Sequence, residues 1–286
     1  MTKLTTLGKL QLALCAALVV AFAAQLRADP AQRIVSVGGS VTEIVFALGE
    51  GHRVVARDTT SNHPAEALSL PDVGYVRRLS PEGLLSVNPD MILAEEGAGP
   101  PEAMELLQET QIPVVSVPMG FDRSAVIAKI ETVADALGVP HKGQQLAAQV
   151  AAEIDSASQM DLSDKKVLFI LSMQGGRVLA GGENTAADGI ISLVGAENAV
   201  SGFNGYKLLT DEAILTAAPD VILLMSSRHN GELNDETLLA HPGLAATPAG
   251  QAGAILSMDG MLMLGFSVRT GQAVTDLAAG LDQFGS

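Results

Sequence analysis

The sequence predicts an α/β protein of two Rossmann-like lobes joined by a long backbone helix, and three observations carry that expectation. Short apolar runs of strand length alternate with helical patterns. A long helical stretch, from Asp122 to about Met160, interrupts the alternation midway. A segment of the first half is then echoed in the second.

The strand-like runs of the first half are Arg33–Val37, Val54–Ala56, Met91–Leu93 and Val114–Val117, with helical patterns around Val41–Leu48 and Glu102–Glu109. Asn88-Pro89 and Ile112-Pro113 punctuate the last two strands. Lys166–Leu171, Val221–Met225 and Ala254–Ser257 repeat the style later. The stretch between them reads as one helix to about Leu137 and, after Pro140, a second from His141 to Met160. At 1.5 Å per residue the second spans about 30 Å, long enough to run along both lobes. It lacks the Gly, Ser and Pro of a flexible linker, so modest flexing is expected rather than wide hinge closure. The resulting boundaries are a first lobe at 29–121, connecting helices at 122–161 and a second lobe at 162–286.

The repeat pairs Gly74-Tyr75-Val76-Arg77-Arg78-Leu79-Ser80-Pro81-Glu82 with Gly205-Tyr206-Lys207-Leu208-Leu209-Thr210-Asp211-Glu212. In each copy a hydroxyl residue (Ser80, Thr210) is placed to cap a short helix, a glutamate follows two residues later, and Pro-Asp (Pro89-Asp90, Pro219-Asp220) leads into an apolar strand. Two related lobes place a ligand cleft between them, at the loops beyond the strand ends.

The first residues read as a secretory signal. Lys3 and Lys9 precede an apolar run from Leu10 to Ala24, about 15 residues long and short of the roughly 20 that span a bilayer. Cleavage is expected between Ala23 and Ala28, giving residues 1–28 as the leader; an uncleaved N-terminal anchor is the alternative. Leu14 before Cys15 is too bulky for a lipoprotein signal. Loss of the leader removes Cys15, the sole cysteine, and leaves 14 basic against 32 acidic residues, a net charge of −18. So acidic a chain is a poor partner for nucleic acid. Any metal it holds needs oxygen or nitrogen ligands.

Other chemistries find no motif. Gly38-Gly39 and Gly181-Gly182 match neither G-x-G-x-x-G nor a phosphate-binding loop, and there is no H-E-x-x-H or G-x-S-x-G, so an enzyme is not expected. The five histidines (His52, His63, His141, His229, His241) are scattered without ligand spacing, against a zinc or manganese carrier.

The order Arg33-Ile34-Val35-Ser36-Val37, Val41-Thr42-Glu43-Ile44, Leu48-Gly49, then Asp72-Val73-Gly74-Tyr75-Val76-Arg77 and Leu79-Ser80-Pro81-Glu82, resembles the periplasmic haemin-binding proteins of bacterial haem ABC importers. The likeness covers nearly the whole chain after the leader. It implies the class III periplasmic binding protein architecture, a monomer that carries haem, and an ABC permease as partner, with an outer-membrane haem receptor system upstream. Thr-Glu-Ile, Asn-Pro-Asp and Pro-Asp-Val are shared with cobalamin and ferric-siderophore binders, which remain the alternative; Gly-Tyr-Val-Arg points to haem.

The resemblance implies that Tyr75 is the axial ligand of the haem iron and that Arg77 hydrogen-bonds its oxygen. The chemistry is consistent, since a phenol with a pKa near 10 binds Fe(III) well only as phenolate, and a guanidinium favours that form. The repeat sets Tyr206 on the facing wall. Arg78, Lys207, Arg228 and Arg57 fall in segments expected at the cleft rim, where cations would meet the haem propionates, and His229 is a candidate for the sixth iron position. Some family members hold a second haem with a histidine in the loop after the strand equivalent to Lys166–Leu171; here Ser172-Met173-Gln174-Gly175-Gly176-Arg177 offers no imidazole, against two-haem loading. The likeness also implies that Glu82 and Glu212 dock into arginines of the two permease subunits, matched contacts that suit a twofold permease.

Overall fold

The computed structural model describes residues 30–160, 162–226 and 234–284. Its first half is built on β1 (Ile34–Val37), α1 (Gly39–Ala47), β2 (Val54–Arg57), α2 (Pro81–Leu85), β3 (Met91–Glu95), α3 (Pro101–Gln108) and β4 (Val114–Val117). The four strands form one parallel sheet in the order β2-β1-β3-β4. Parallel strands are covered on both faces, which is why β1 is buried at every position. Leu79 and Leu84 join Val35, Ile92 and Leu107 in the core beneath this sheet, so the segment between the tyrosine and α2 is anchored by its apolar residues.

Two helices follow, α4 (Arg123–Ala136) and α5 (Pro140–Ala157). Asp122 caps α4 by accepting from Ala125 N at 2.7 Å, and Pro140 sits in the first turn of α5, where no N–H is needed. The helices pack side by side.

The second half contains β5 (Lys166–Gln174), β6 (Arg177–Gly181), α6 (Ala186–Leu193), β7 (Glu197–Asn198), β8 (Tyr206–Leu208), α7 (Asp211–Ala217), β9 (Val221–Ser226), α8 (Asp235–Leu239), α9 (Pro242–Ala245), α10 (Pro248–Ala252), β10 (Ile255–Asp259), α11 (Gly260–Leu264) and α12 (Thr270–Asp282). Its six-stranded sheet runs β10-β9-β5-β6-β8, with β7 also on β5. β10, β9, β5 and β7 are parallel, whereas β6 and β8 are antiparallel additions. α12 packs along α5.

The second sheet corrects one expectation. Ser172–Arg177 is not an open loop: Ser172, Met173 and Gln174 continue β5, Arg177 opens β6, and only Gly175 and Gly176 turn. Their φ values of 57° and 76° are the positive pair that a two-residue hairpin needs and that side chains resist. β6, β7 and β8 had no sequence-level counterpart, because each is short and two are edge additions rather than buried apolar runs.

Candidate functional site

A cleft of about 1100 Å³ lies where parallel strands of both sheets end. Glu95 closes β3, Ser226 closes β9 and Asp259 closes β10, and all three line it. This is the position that parallel α/β architecture reserves for ligands. The volume lies just above the usual range for ligand sites, about 300–1,000 Å³.

Tyr75 enters from the first lobe on a loop held by a carboxylate. Asp72 Oδ1 accepts from Gly74 N at 2.8 Å and from Thr59 Oγ1 at 3.1 Å, and Oδ2 accepts from Arg57 Nη1 at 2.9 Å. Thr59 N donates to Gly74 O at 2.9 Å, and Gly99 N to Val76 O at 2.9 Å, so the tyrosine is clamped before and behind. Leu79 then drops into the core at 4% exposure while Tyr75 itself stays 42% exposed in the cleft.

Tyr206 enters from the second lobe by a different device. It starts β8 and pairs with Gly181 of β6, and Gly182 N donates to Gly205 O at 2.8 Å. It lines the same cleft at 43% exposure. Partial burial of its phenol raises its pKa above the ordinary tyrosine value, against the opposing pull of the Arg77 guanidinium. Arg77 therefore acts electrostatically on the facing tyrosine. Among the described residues no hydrogen bond joins it to Tyr75, so the expected Tyr75–Arg77 bond is not formed in this structure.

The remaining cations divide. Arg77 lines the cleft, but Arg78, exposed one residue on, does not. Lys207 is also placed elsewhere: neighbouring strand residues face opposite sides, and where Tyr206 faces the cleft, Lys207 faces a second pocket of about 610 Å³, its Nζ 5.4 Å from the Phe203 ring centroid. Arg57 is spent on Asp72 and on Asp58 O. Arg228 and His229 lie outside the described residues. Glu82 and Glu212 are both exposed, each in the first turn of its helix, after Ser80 and Thr210 accept from Gly83 N (3.0 Å) and Ala213 N (3.2 Å).

Sequence reasoning missed several lining residues. Lys129, 1% exposed on α4, donates to Glu95 Oε1 at 2.9 Å and to Ser40 Oγ at 3.1 Å. Arg269 is paired with Glu43; burial works to lower its pKa, and the Glu43 bonds together with the charges of Glu43 and Asp259 raise it. His63 also lines the cleft, an imidazole that spacing alone had no reason to single out. Glu95 was findable as the last residue of a parallel strand; Lys129 and Arg269 carried no local signal.

Among the described residues the lining thus sets Arg77, Lys129 and Arg269 against Glu95 and Asp259, so the cleft does not share the strong negative charge of the chain. Its walls carry large apolar side chains. Among the described residues, four of the seven large apolar side chains that stand exposed, Leu68, Tyr75, Met119 and Tyr206, are in it. A concentrated exposed apolar patch marks a binding surface.

Comparison with known proteins agrees with this geometry. The periplasmic binding protein family model matches residues 34–262. The solved periplasmic heme-binding protein BhuT, in complex with two hemes, is 39% identical with a TM-score of 0.84, covering 88% of this chain and 98% of that one. The periplasmic heme-binding protein RhuT from Roseiflexus sp. RS-1, in apo form, is 38% identical with a TM-score of 0.83 over the same shares. The vitamin B12-binding protein of Vibrio campbellii (strain ATCC BAA-1116) is 27% identical over 219 residues, 76% of this chain and 78% of that one. An uncharacterized ABC transporter substrate-binding lipoprotein of Bacillus subtilis (strain 168), YvrC, is 29% identical over 198 residues; that match spans 67% of this chain and 63% of the Bacillus protein.

Proposed function

The chain belongs to the periplasmic binding protein family, and from that premise we propose that it captures ferric haem in the interlobe cleft and delivers it to the permease of an ABC importer. The family is one of carriers rather than catalysts. The observation that carries the reading is the pair of half-exposed tyrosines on facing walls of an apolar cleft, with Arg77 beside them. A flat, largely apolar tetrapyrrole suits such walls, and its ferric centre accepts a hard anionic oxygen.

In this reading Tyr75 supplies the axial oxygen. Its loop is fixed by Asp72 before any ligand arrives, so little ordering cost falls on binding. Arg77, lining the same cleft, acts electrostatically on the Tyr206 phenol, and on the ligand side it offers a cation to a propionate. Tyr206, its pKa raised by burial, is the weaker candidate for phenolate and serves as the opposite wall. Arg78 supplies charge at the outer rim. Glu82 and Glu212, exposed at equivalent helix starts, dock on the two permease subunits, and residues 1–28 direct export and are removed.

Haemin added to the exported chain tests this directly. A ferric phenolate-type spectrum that Tyr75→Ala abolishes is expected; a spectrum unchanged in that variant would retire the assignment. The same titration with cobalamin and with ferric siderophores addresses the second reading, which the vitamin B12-binding relatives favour. For docking, Glu82→Lys with Glu212→Lys is expected to stop transport in reconstituted vesicles while haemin affinity is kept.

A further inference from the structure

Glu43, the centre of Thr42-Glu43-Ile44, does not line the cleft, and its side chain is only 2% exposed. It belongs to α1 of the first lobe, yet both of its oxygens are bonded by residues more than 220 positions away in the second. Arg269 Nη2 donates to Oε1 at 2.5 Å and Nε to Oε2 at 3.0 Å, and Ser267 Oγ also donates to Oε2. Ser267 is 3% exposed and the Arg269 side chain 20%. A two-pronged guanidinium–carboxylate bond fixes both distance and angle, which a single lysine contact does not. Leaving such a carboxylate buried and unpaired is strongly unfavourable, so the contact resists opening.

Other contacts reinforce it. The start of α1 meets the same corner of the second lobe: a Cβ on Gly39 would stand 2.3 Å from Met261 Cε. Phe121, between β4 and α4, packs edge-on against Phe266 with ring centroids 5.5 Å apart. Gly189 within α6 approaches Phe121 so closely that a Cβ there would lie 2.2 Å from its carbonyl oxygen. Phe266 holds a φ of 48° while 2% exposed, a conformation that only a tightly determined surrounding maintains. Gly39, Met261, Phe121 and Arg269 all line the cleft, so this seam is its floor.

We infer that the second-lobe corner at 261–269 clasps Glu43 through Arg269 and Ser267 and thereby sets the separation of the two lobes, making these three positioning residues for ligand affinity. The connecting helix α5, 18 residues and about 27 Å long, ties the lobes along one line and by itself leaves rotation about that line soft. The clasp adds a second attachment off that axis, which removes the rotation. Tyr75 and Tyr206 are then held at a set distance across the cleft although Glu43 never meets the ligand. The inference uses the haem reading only for one of its two readouts; lobe separation needs no ligand.

The test uses the exported chain, which has no native cysteine once residues 1–28 are removed. Cysteines in place of exposed Glu105 on α3 and Gln251 on α10 carry spin labels for a distance measurement between the lobes. The parent is expected to show one narrow distance. Arg269→Lys is expected to broaden or shift it and to weaken haemin at least tenfold with the Tyr75 phenolate band still present, and Ser267→Ala to move both readouts the same way by less. A distance distribution and an affinity unchanged in Arg269→Lys, whatever its melting temperature, would overturn the clasp. Should Arg269→Lys not fold, Ser267→Ala decides on the same two readouts. If the parent fails to bind haemin, the cargo assignment falls while the distance arm still judges the clasp.

Discussion

The two lobes carry the same sequence motif and present the same residue to the same cleft, but they hold it by unrelated means. In the first lobe Gly74-Tyr75 lies on a loop tied to β2 by Asp72, against an all-parallel sheet. In the second, Tyr206 opens a strand, β8, that is hydrogen-bonded antiparallel to β6 of a hairpin that the first lobe lacks. What stays equal between the copies is local: a hydroxyl cap, a glutamate in the first turn, an apolar strand. What differs is each tyrosine's surroundings. A repeat therefore predicts where a side chain starts and not what electrostatic environment it meets.

The sharpest way to break this comparison is to remove one hydroxyl at a time. Tyr75→Phe is expected to lose the phenolate band and about a hundredfold or more in haemin affinity, roughly 2.7 kcal/mol or above, whereas Tyr206→Phe should keep the band and lose no more than about fivefold. Equal losses in an optical titration would mean that the lobes share the iron. A smaller effect is expected from Asp72→Asn, which has no counterpart in the second lobe. Hydrogen bonds to a charged acceptor contribute about 1.5–3 kcal/mol each, so loosening the hub should cost stability of that order and weaken haemin about tenfold. Thermal melts and titrations on the same variant check both.

The shared features give the next two tests. Ser80→Ala and Thr210→Ala each remove one helix cap and should each cost about 1 kcal/mol in urea unfolding. A clear inequality would show that even the matched helices differ in their tertiary support. The smallest expected effect is acid dependence at Glu50 in the first lobe. Burial works to raise its pKa, but hydrogen bonds from Lys142 and Arg53 outweigh this and hold it below the ordinary carboxylate value. A depressed folded-state pKa adds stability that is fully present above the unfolded pKa of about 4.3 and fades as pH falls through the folded value. Lys142→Met should flatten that acid limb, as read from melting temperature between about pH 5 and 3.

Much of the architecture was legible because its causes are local. Short apolar runs located β1, β3, β4 and β9, the last three just after a proline, and Asp122 and Pro140 marked the two connecting helices where they occur. Less of the cleft was legible. Tyr75, Arg77 and Tyr206 line it, whereas Lys207 faces away because strand alternation sends neighbours to opposite sides, and Arg57 is consumed by Asp72. Lys129 and Arg269 could not be anticipated, since each owes its place to a partner far off in the chain, Glu95 and Glu43.

By itself the sequence determined the alternation of strands and helices, the duplicated halves, the capped starts of α2 and α7 and the identity of the two tyrosines, because periodicity, caps and motif residues act over a few positions. Only the tertiary structure decided which charges face the cleft and how the lobes are joined across it. Those outcomes depend on ion pairs and packing between residues up to 226 positions apart, and no local pattern encodes a distance that only the folded chain brings into being.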